Sequence, residues 1–131
     1  MQGRGRGKGR GFNPRRRRGM RLVLRPALLV LLAEGDSHGY DLMDQLGQLG
    51  FDTEYLDSSI VYRDLRDMEE MGLIESTWDE DSKGPRRRVY QINEAGMSRL
   101  GGWLESLDHV RDQIDILQKR YQAQLKKEEK K

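Results

Sequence analysis

The chain contains no cysteine, so disulfide bonds, thiolate metal centres and thiol redox sensing are excluded at the outset. Histidine is nearly as scarce. His38 and His109 stand far apart with no ligand-like spacing around either, and each reads as a cap or surface residue. Metal catalysis and Cys or Ser/His nucleophile chemistry have no foundation here, and neither a metal nor a cofactor is expected. No apolar run is long enough to span a bilayer. Leu22 to Ala33 follows basic residues as a secretion signal would, but Arg25-Pro26 interrupts it, and the pattern runs on into another amphipathic segment instead of a cleavage site. The expectation is a cytoplasmic protein. A chain of 131 residues has room for a modest core but not for a catalytic cleft between two domains, and no enzyme reading rises above background.

Acid is missing too, but only locally. Residues 1–26 carry nine Arg and one Lys without a single Asp or Glu, whereas the remainder has 14 basic against 22 acidic residues. The overall charge of +2 thus conceals a segment of +10 joined to a body of −8. Such polarity suits a basic arm for a polyanion, attached to a body that would repel one except at local basic spots. Residues 1–19 are rich in Gly and Arg and cannot bury enough apolar surface to offset their ordering entropy. Residues 1–24 are therefore expected as a disordered arm, with a reach of roughly 25 to 30 Å. Arg15, Arg16, Arg17 and Arg18 are its densest charge and the candidates for groove or phosphate contact; a weakly bound solubilising tail is the plainer alternative.

What the rest of the chain does have is helical periodicity. Pro26 suits the first turn of a helix, and Ala27 to Glu34 is apolar nearly all round. Gly35-Asp36-Ser37 breaks that helix, with Ser37 or Asp36 as cap of a second one through about Leu49. Tyr40, Leu42, Met43, Leu46 and Leu49 form its apolar face. The third helix runs from an Asp57 cap to a Gly72 stop. At 100° per residue, Val61, Leu65 and Met68 make one stripe, widened by Ile60 and Met71, while Ser59, Tyr62, Arg63 and Arg66 collect on the opposite face. Hydroxyl, aromatic and guanidinium groups in place of the usual Glu and Lys mixture suit an anionic partner, although an amphipathic core helix with chance arginines would look the same.

From Leu73 the period becomes strand-like. Ile74, Ser76 and Trp78 alternate with polar residues, and Arg88, Tyr90 and Ile92 share a face of the return strand. Asp81-Ser82-Lys83-Gly84-Pro85 supplies turn chemistry at the tip. Lys83, Arg86, Arg87 and Arg88 put positive charge where a wing meets phosphate; Asp79, Glu80 and Asp81 either pair with them or hold the wing off the backbone. The last helix, beginning at Asn93-Glu94-Ala95-Gly96 and reaching about Leu125, carries Leu100, Trp103, Leu107, Val110, Ile114, Leu117 and Tyr121 at alternating steps of 3 and 4. Such a heptad seam, on a helix of about 30 residues and roughly 45 Å, is longer than a body this size can cover. A homodimer interface is expected, with folding back along its own domain as the alternative for Leu100 to Leu107.

Taken in order, these residues resemble the PadR-like transcriptional regulators over about Pro26 to Leu117. The matching stretches are His38-Gly39-Tyr40-Asp41-Leu42, then Val61 to Glu69 with Met71-Gly72-Leu73-Ile74, then Gly84 to Tyr90 leading to Asn93-Glu94-Ala95-Gly96. The resemblance implies a mostly α (α+β) protein, a winged helix-turn-helix with a long C-terminal dimerisation helix, acting as a homodimeric repressor on double-stranded DNA. The expected parts are the DNA-binding domain at 25–92, the dimerisation helix at 93–125 and a frayed charged tail at 126–131, with the basic arm at 1–24 outside the shared region and resting on its charge alone. The single C-terminal helix looks like the short subfamily, whose members can bind flat aromatic compounds near the dimer interface, which makes Trp103 the candidate for an effector pocket. Ser58, Ser59 and Ile60 stand where the family commonly has Pro, Gly and Thr, so backbone contact at the helix start falls to Ser58 or Ser59. Arg63 and Arg66 are expected at base edges or phosphates, and Tyr62 either packs or bonds phosphate. A nucleic-acid-binding protein without sequence preference, working through the Arg/Gly arm, is the competing function.

Overall fold

A computed structural model of the chain describes residues 14–79, 84 and 87–130, with side chains from residue 21 onward. Four helices and three short strands follow in the order α1 (Pro14–Glu34), β1 (Ser37–His38), α2 (Gly39–Gln48), α3 (Ser58–Glu70), β2 (Ile74–Asp79), β3 (Arg87–Ile92) and α4 (Glu94–Glu129). The strands form one antiparallel sheet of order β1-β3-β2. Residues through Leu100 make one compact unit and residues from Gly101 a second.

The core of the first unit comes from the stripes that the sequence marks out. Leu28, Leu29 and Leu32 of α1, Leu42 and Leu46 of α2, and Val61, Leu65 and Met68 of α3 are all nearly inaccessible to solvent. Each such side chain contributes about 1.5–3 kcal/mol by leaving water, enough to hold three helices that would be marginal alone. Ile74 and Tyr90 continue the core into the sheet, and Leu100 closes it from α4.

Several expectations are corrected. Helix one begins at Pro14 and not at Pro26, which lies inside it. Proline has no N–H for the carbonyl of Leu22, but Leu22 is exposed, so water can satisfy that carbonyl and the helix continues upstream through a run of good helix formers. Arg15 to Arg18 therefore lie on the first turns of α1. The part of the arm before Pro14, like Lys83 and Arg86 at the hairpin tip, falls outside the described residues. Neither Asp36 nor Ser37 caps α2. Ser37 is the first residue of β1, its hydroxyl donating to the His38 carbonyl, and His38 holds the N-cap position without a side-chain cap bond. Tyr40, Leu49 and Met71, assigned to apolar faces, are exposed instead. The final helix runs on to Glu129, so its last turn contains Lys126 and Lys127, where cations favour the helix C-terminus.

α4 is fastened to the hairpin at its start. The Asn93 side-chain oxygen accepts the Gly96 N–H at 2.9 Å, and its amide donates to the Gly72 carbonyl at 2.9 Å, so one residue joins the helix start to the turn after α3. Gly96 has no room for a side chain, because an added Cβ would lie 2.2 Å from the Leu73 carbonyl oxygen.

Candidate nucleic-acid interface

α3 divides its surface three ways. Asp57 caps it by accepting the Ser59 N–H at 2.9 Å, and Gly72, at φ 79°, takes the left-handed conformation that ends the segment. One face, Val61, Leu65 and Met68, is buried. A second is occupied by an ion-pair clamp: Arg25 of α1 donates Nε to Asp64 at 3.1 Å and Nη2 to Asp67 at 2.9 Å. Ser58, Ser59, Tyr62, Arg63 and Arg66 remain on the third face, all exposed, the last four as the periodicity predicts. Arg25 offsets one of the two charges of Asp64 and Asp67 and holds both carboxylates on its own side, while the outer face carries Arg63 and Arg66 and no acid.

Tyr62 is seated by its neighbour in α2. Gly39 lies so close to the ring that a Cβ there would come within 2.4 Å of Tyr62 Cε1. The two helices meet at a contact where any side chain on residue 39 would have to displace the Tyr62 ring.

Across from α3 stands the β2–β3 hairpin. Its register pairs Ser76 with Tyr90 and Trp78 with Arg88, which places these four on one face. Arg88 donates to the Ser76 hydroxyl at 2.6 Å, and Ser76 donates to Glu69 of α3 at 2.7 Å. The Arg88 guanidinium is also 3.9 Å from that carboxylate and lies 4.9 Å over the Trp78 ring. Arg87 bonds the Tyr40 hydroxyl and covers the Tyr40 ring at 4.6 Å. His38 stacks on Tyr40 at 5.6 Å, and its Nε2 is 2.9 Å from Asp79, which ties β1 to the outgoing strand of the wing.

Between helix and hairpin runs a groove of about 410 Å³, lined by Tyr62, Arg66, Glu69, Arg88 and Tyr90. A second hollow of about 330 Å³, bounded by His38, Gly39, Tyr40, Arg87 and the same Tyr62, Arg88 and Tyr90, extends it. Burial pushes the Tyr90 phenol above its ordinary range; Glu69 and Tyr62 add to the shift, while Arg88 and Arg66 oppose it. The phenol is thus neutral in the groove wall, and the arginines set its sign.

The structure brings Tyr62, Arg66 and Arg88 to one groove, with Arg87 beside them and Arg63 on the same exposed face of α3. It also adds residues that sequence reasoning passed over. Arg25, Tyr40, Glu69 and Trp78 all enter through contacts between elements distant in sequence; the facing positions of Trp78 and Arg88 in the hairpin are the one local signal. Along α4, Leu100 is buried within the first unit, so this member of the seam already has a place in the core of a single chain. Trp103, Leu107 and Val110 are partly exposed, and Ile114, Leu117 and Tyr121 are open to solvent. Among the described residues, no cluster of His, Cys, Asp or Glu is placed to hold a metal, and no helix is long and apolar enough to cross a membrane.

Comparison with known proteins agrees with this geometry. No curated protein sequence matches. The solved structure of a conserved protein of unknown function, TM0937, a potential transcriptional factor, is 31% identical, with a TM-score of 0.67 over 89% of this chain and 99% of that one. A PadR-like transcriptional regulator from Bacillus cereus is 27% identical, with a TM-score of 0.65 over 76% of this chain and 95% of that one. Bacillus subtilis PadR, solved in complex with operator DNA, is 29% identical, with a TM-score of 0.54 over 65% of this chain and 48% of that one. The family model of the PadR-like transcriptional regulators matches residues 28–101, more than half of the chain, and covers every element that builds the groove except the upstream turns of α1. The chain belongs to the PadR-like family of transcriptional regulators.

Proposed function

We propose that this regulator is a cytoplasmic homodimer that binds double-stranded DNA sequence-specifically and represses transcription, α3 of each protomer entering a major groove and each wing flanking it. The observation that carries the reading is the division of α3: core on one face, the Arg25 clamp on another, and Tyr62, Arg63 and Arg66 left outward beside wing arginines. A groove walled by Arg66 and Arg88 suits a phosphodiester strand lying between helix and wing. The Bacillus subtilis relative, solved with operator DNA, supports the same assignment. The upstream basic segment, Arg15 to Arg18 included, adds sequence-independent affinity through phosphates. Exposed Ile114, Leu117 and Tyr121 continue a seam that pairs with a second copy, and Trp103 on that seam is the candidate position for a flat aromatic effector.

Selection of bound fragments from random duplex DNA tests this directly. A two-fold symmetric consensus, with half-sites about one helical turn apart and affinity falling steeply with salt, is the expected result. Binding without sequence preference, or with a flat salt dependence, would refute it. For the assembly, Ile114→Asp with Leu117→Asp should give monomers in analytical ultracentrifugation; a variant that stays dimeric removes the seam as the interface.

A further inference from the structure

We propose that Trp78 is a contact for the sugar–phosphate backbone of duplex DNA, with the indole packed on deoxyribose and its N–H donating to a phosphate oxygen. This deepens, and rests on, the DNA-binding reading above. Trp78 is 48% exposed near the tip end of β2. An isolated exposed apolar side chain would be unremarked, but this one extends a wall that is already built for an anion. Its register partner is Arg88, and two positions along the hairpin Ser76 pairs with Tyr90, so the indole shares the face that carries the groove.

The indole is also held. Arg88 lies 4.9 Å over the ring, and its bond to Ser76 at 2.6 Å fixes the guanidinium, so the ring rests on a positioned cation. Indole Nε1–H is a donor only, and on a side chain 48% exposed it is open to an acceptor from outside the chain. An occupant must therefore offer three things in close succession: an apolar patch for the ring, an acceptor for the N–H and negative charge for Arg66 and Arg88. Deoxyribose followed by phosphate supplies all three. A free anion would leave the ring unused, and an apolar peptide would leave the excess positive charge of the groove uncompensated. Among the described residues, Glu69 is the one acid lining the groove, and Ser76 and Arg88 already engage it.

The test uses the full chain labelled with 5-fluorotryptophan. It holds two tryptophans, and Trp78→Phe identifies which fluorine resonance belongs to Trp78. Titration with a duplex taken from the selection should shift that resonance. Trp78→Ala should weaken binding to the selected duplex and to a scrambled one by a similar factor of about tenfold, and Trp78→Phe, which keeps a ring but not the N–H, by about threefold. A Trp78 resonance that stays in place while fluorescence anisotropy shows the duplex bound would overturn the proposal, and leave DNA binding by α3 intact. So would a folded Trp78→Ala chain of unchanged affinity. Failure of the chain to bind any duplex would overturn both this proposal and the function it rests on. The labelled wild-type titration decides the matter even where an alanine variant does not fold.

Discussion

Substituting Gly96 by alanine isolates how the start of α4 is joined to the wing. In an open helix the change is favourable, by up to about 1 kcal/mol, because glycine has more backbone freedom to lose. At Gly96 the new Cβ would lie 2.2 Å from the Leu73 carbonyl oxygen, 2.7 Å from Ile92 Cγ1 and 3.2 Å from the Leu73 carbonyl carbon. The nearest of these atoms is backbone, and it already accepts the Asn93 N–H at 3.3 Å, so it cannot swing aside as a side-chain tip would. Overpacking of this kind costs about 1–3 kcal/mol and outweighs the helical gain. A net loss of about 1–2 kcal/mol in a unit of this size lowers Tm by roughly 5–15 °C. Thermal unfolding at one fixed protein concentration, followed by circular dichroism, provides the measurement, with Gly102→Ala as the control because a Cβ there meets nothing within 4 Å. Gly102→Ala should hold or raise Tm. If Gly96→Ala matches it, the close approach of α4 to the turn after α3 does not constrain the fold and the reasoning fails.

Gly39→Ala presents the opposite case: its Cβ would meet the Tyr62 ring, which is 38% exposed and can turn outward. Stability should change by less than about 1 kcal/mol while affinity for the selected duplex falls, and a variant that unfolds would show that the ring cannot move. Arg25→Ala removes both ion pairs of the clamp and leaves Asp64, only 15% exposed, without its cation, so unfolding in urea should show a loss of about 1–2 kcal/mol. An unchanged midpoint would mean that the bridges are surface ornaments. The Tyr90 phenol, held above its ordinary value of 10.0 chiefly by burial, ionises later in the folded chain than in the unfolded one. Its contribution is therefore complete below that ordinary value and lost as pH rises through the folded one, so stability should decline in alkali, and less steeply in Tyr90→Phe. Identical alkaline profiles for the two proteins would remove Tyr90 from the account.

Legibility in the sequence followed the range of the interaction. The buried stripe of α3, its Asp57 cap, its glycine stop and the outward display of Arg63 and Arg66 are all set within a few turns, and period and capping chemistry reveal them. The start of α1 was hidden because proline reads as a first-turn residue, whereas here it is buried inside the helix with the residue four positions earlier open to water. β1 has two residues, too few for any periodicity, and exists because Ser37 and His38 find Tyr90 and Val89 on β3. The same holds for the groove: Arg88 looks like a free phosphate ligand from composition alone, but the fold gives it Ser76, Glu69 and Trp78 as neighbours. Leu100 shows the limit of a repeat pattern, which marks a continuous seam without saying where the core of one chain ends and the surface offered to another begins.

Arg25 gives the molecule an unusual seat of control. The helix that faces outward is steered by a guanidinium 39 residues upstream of the first carboxylate it grips, on an element that supplies none of the exposed face. Variation confined to α1 can therefore loosen or tighten the hold on α3, with every outward side chain of that helix left unchanged.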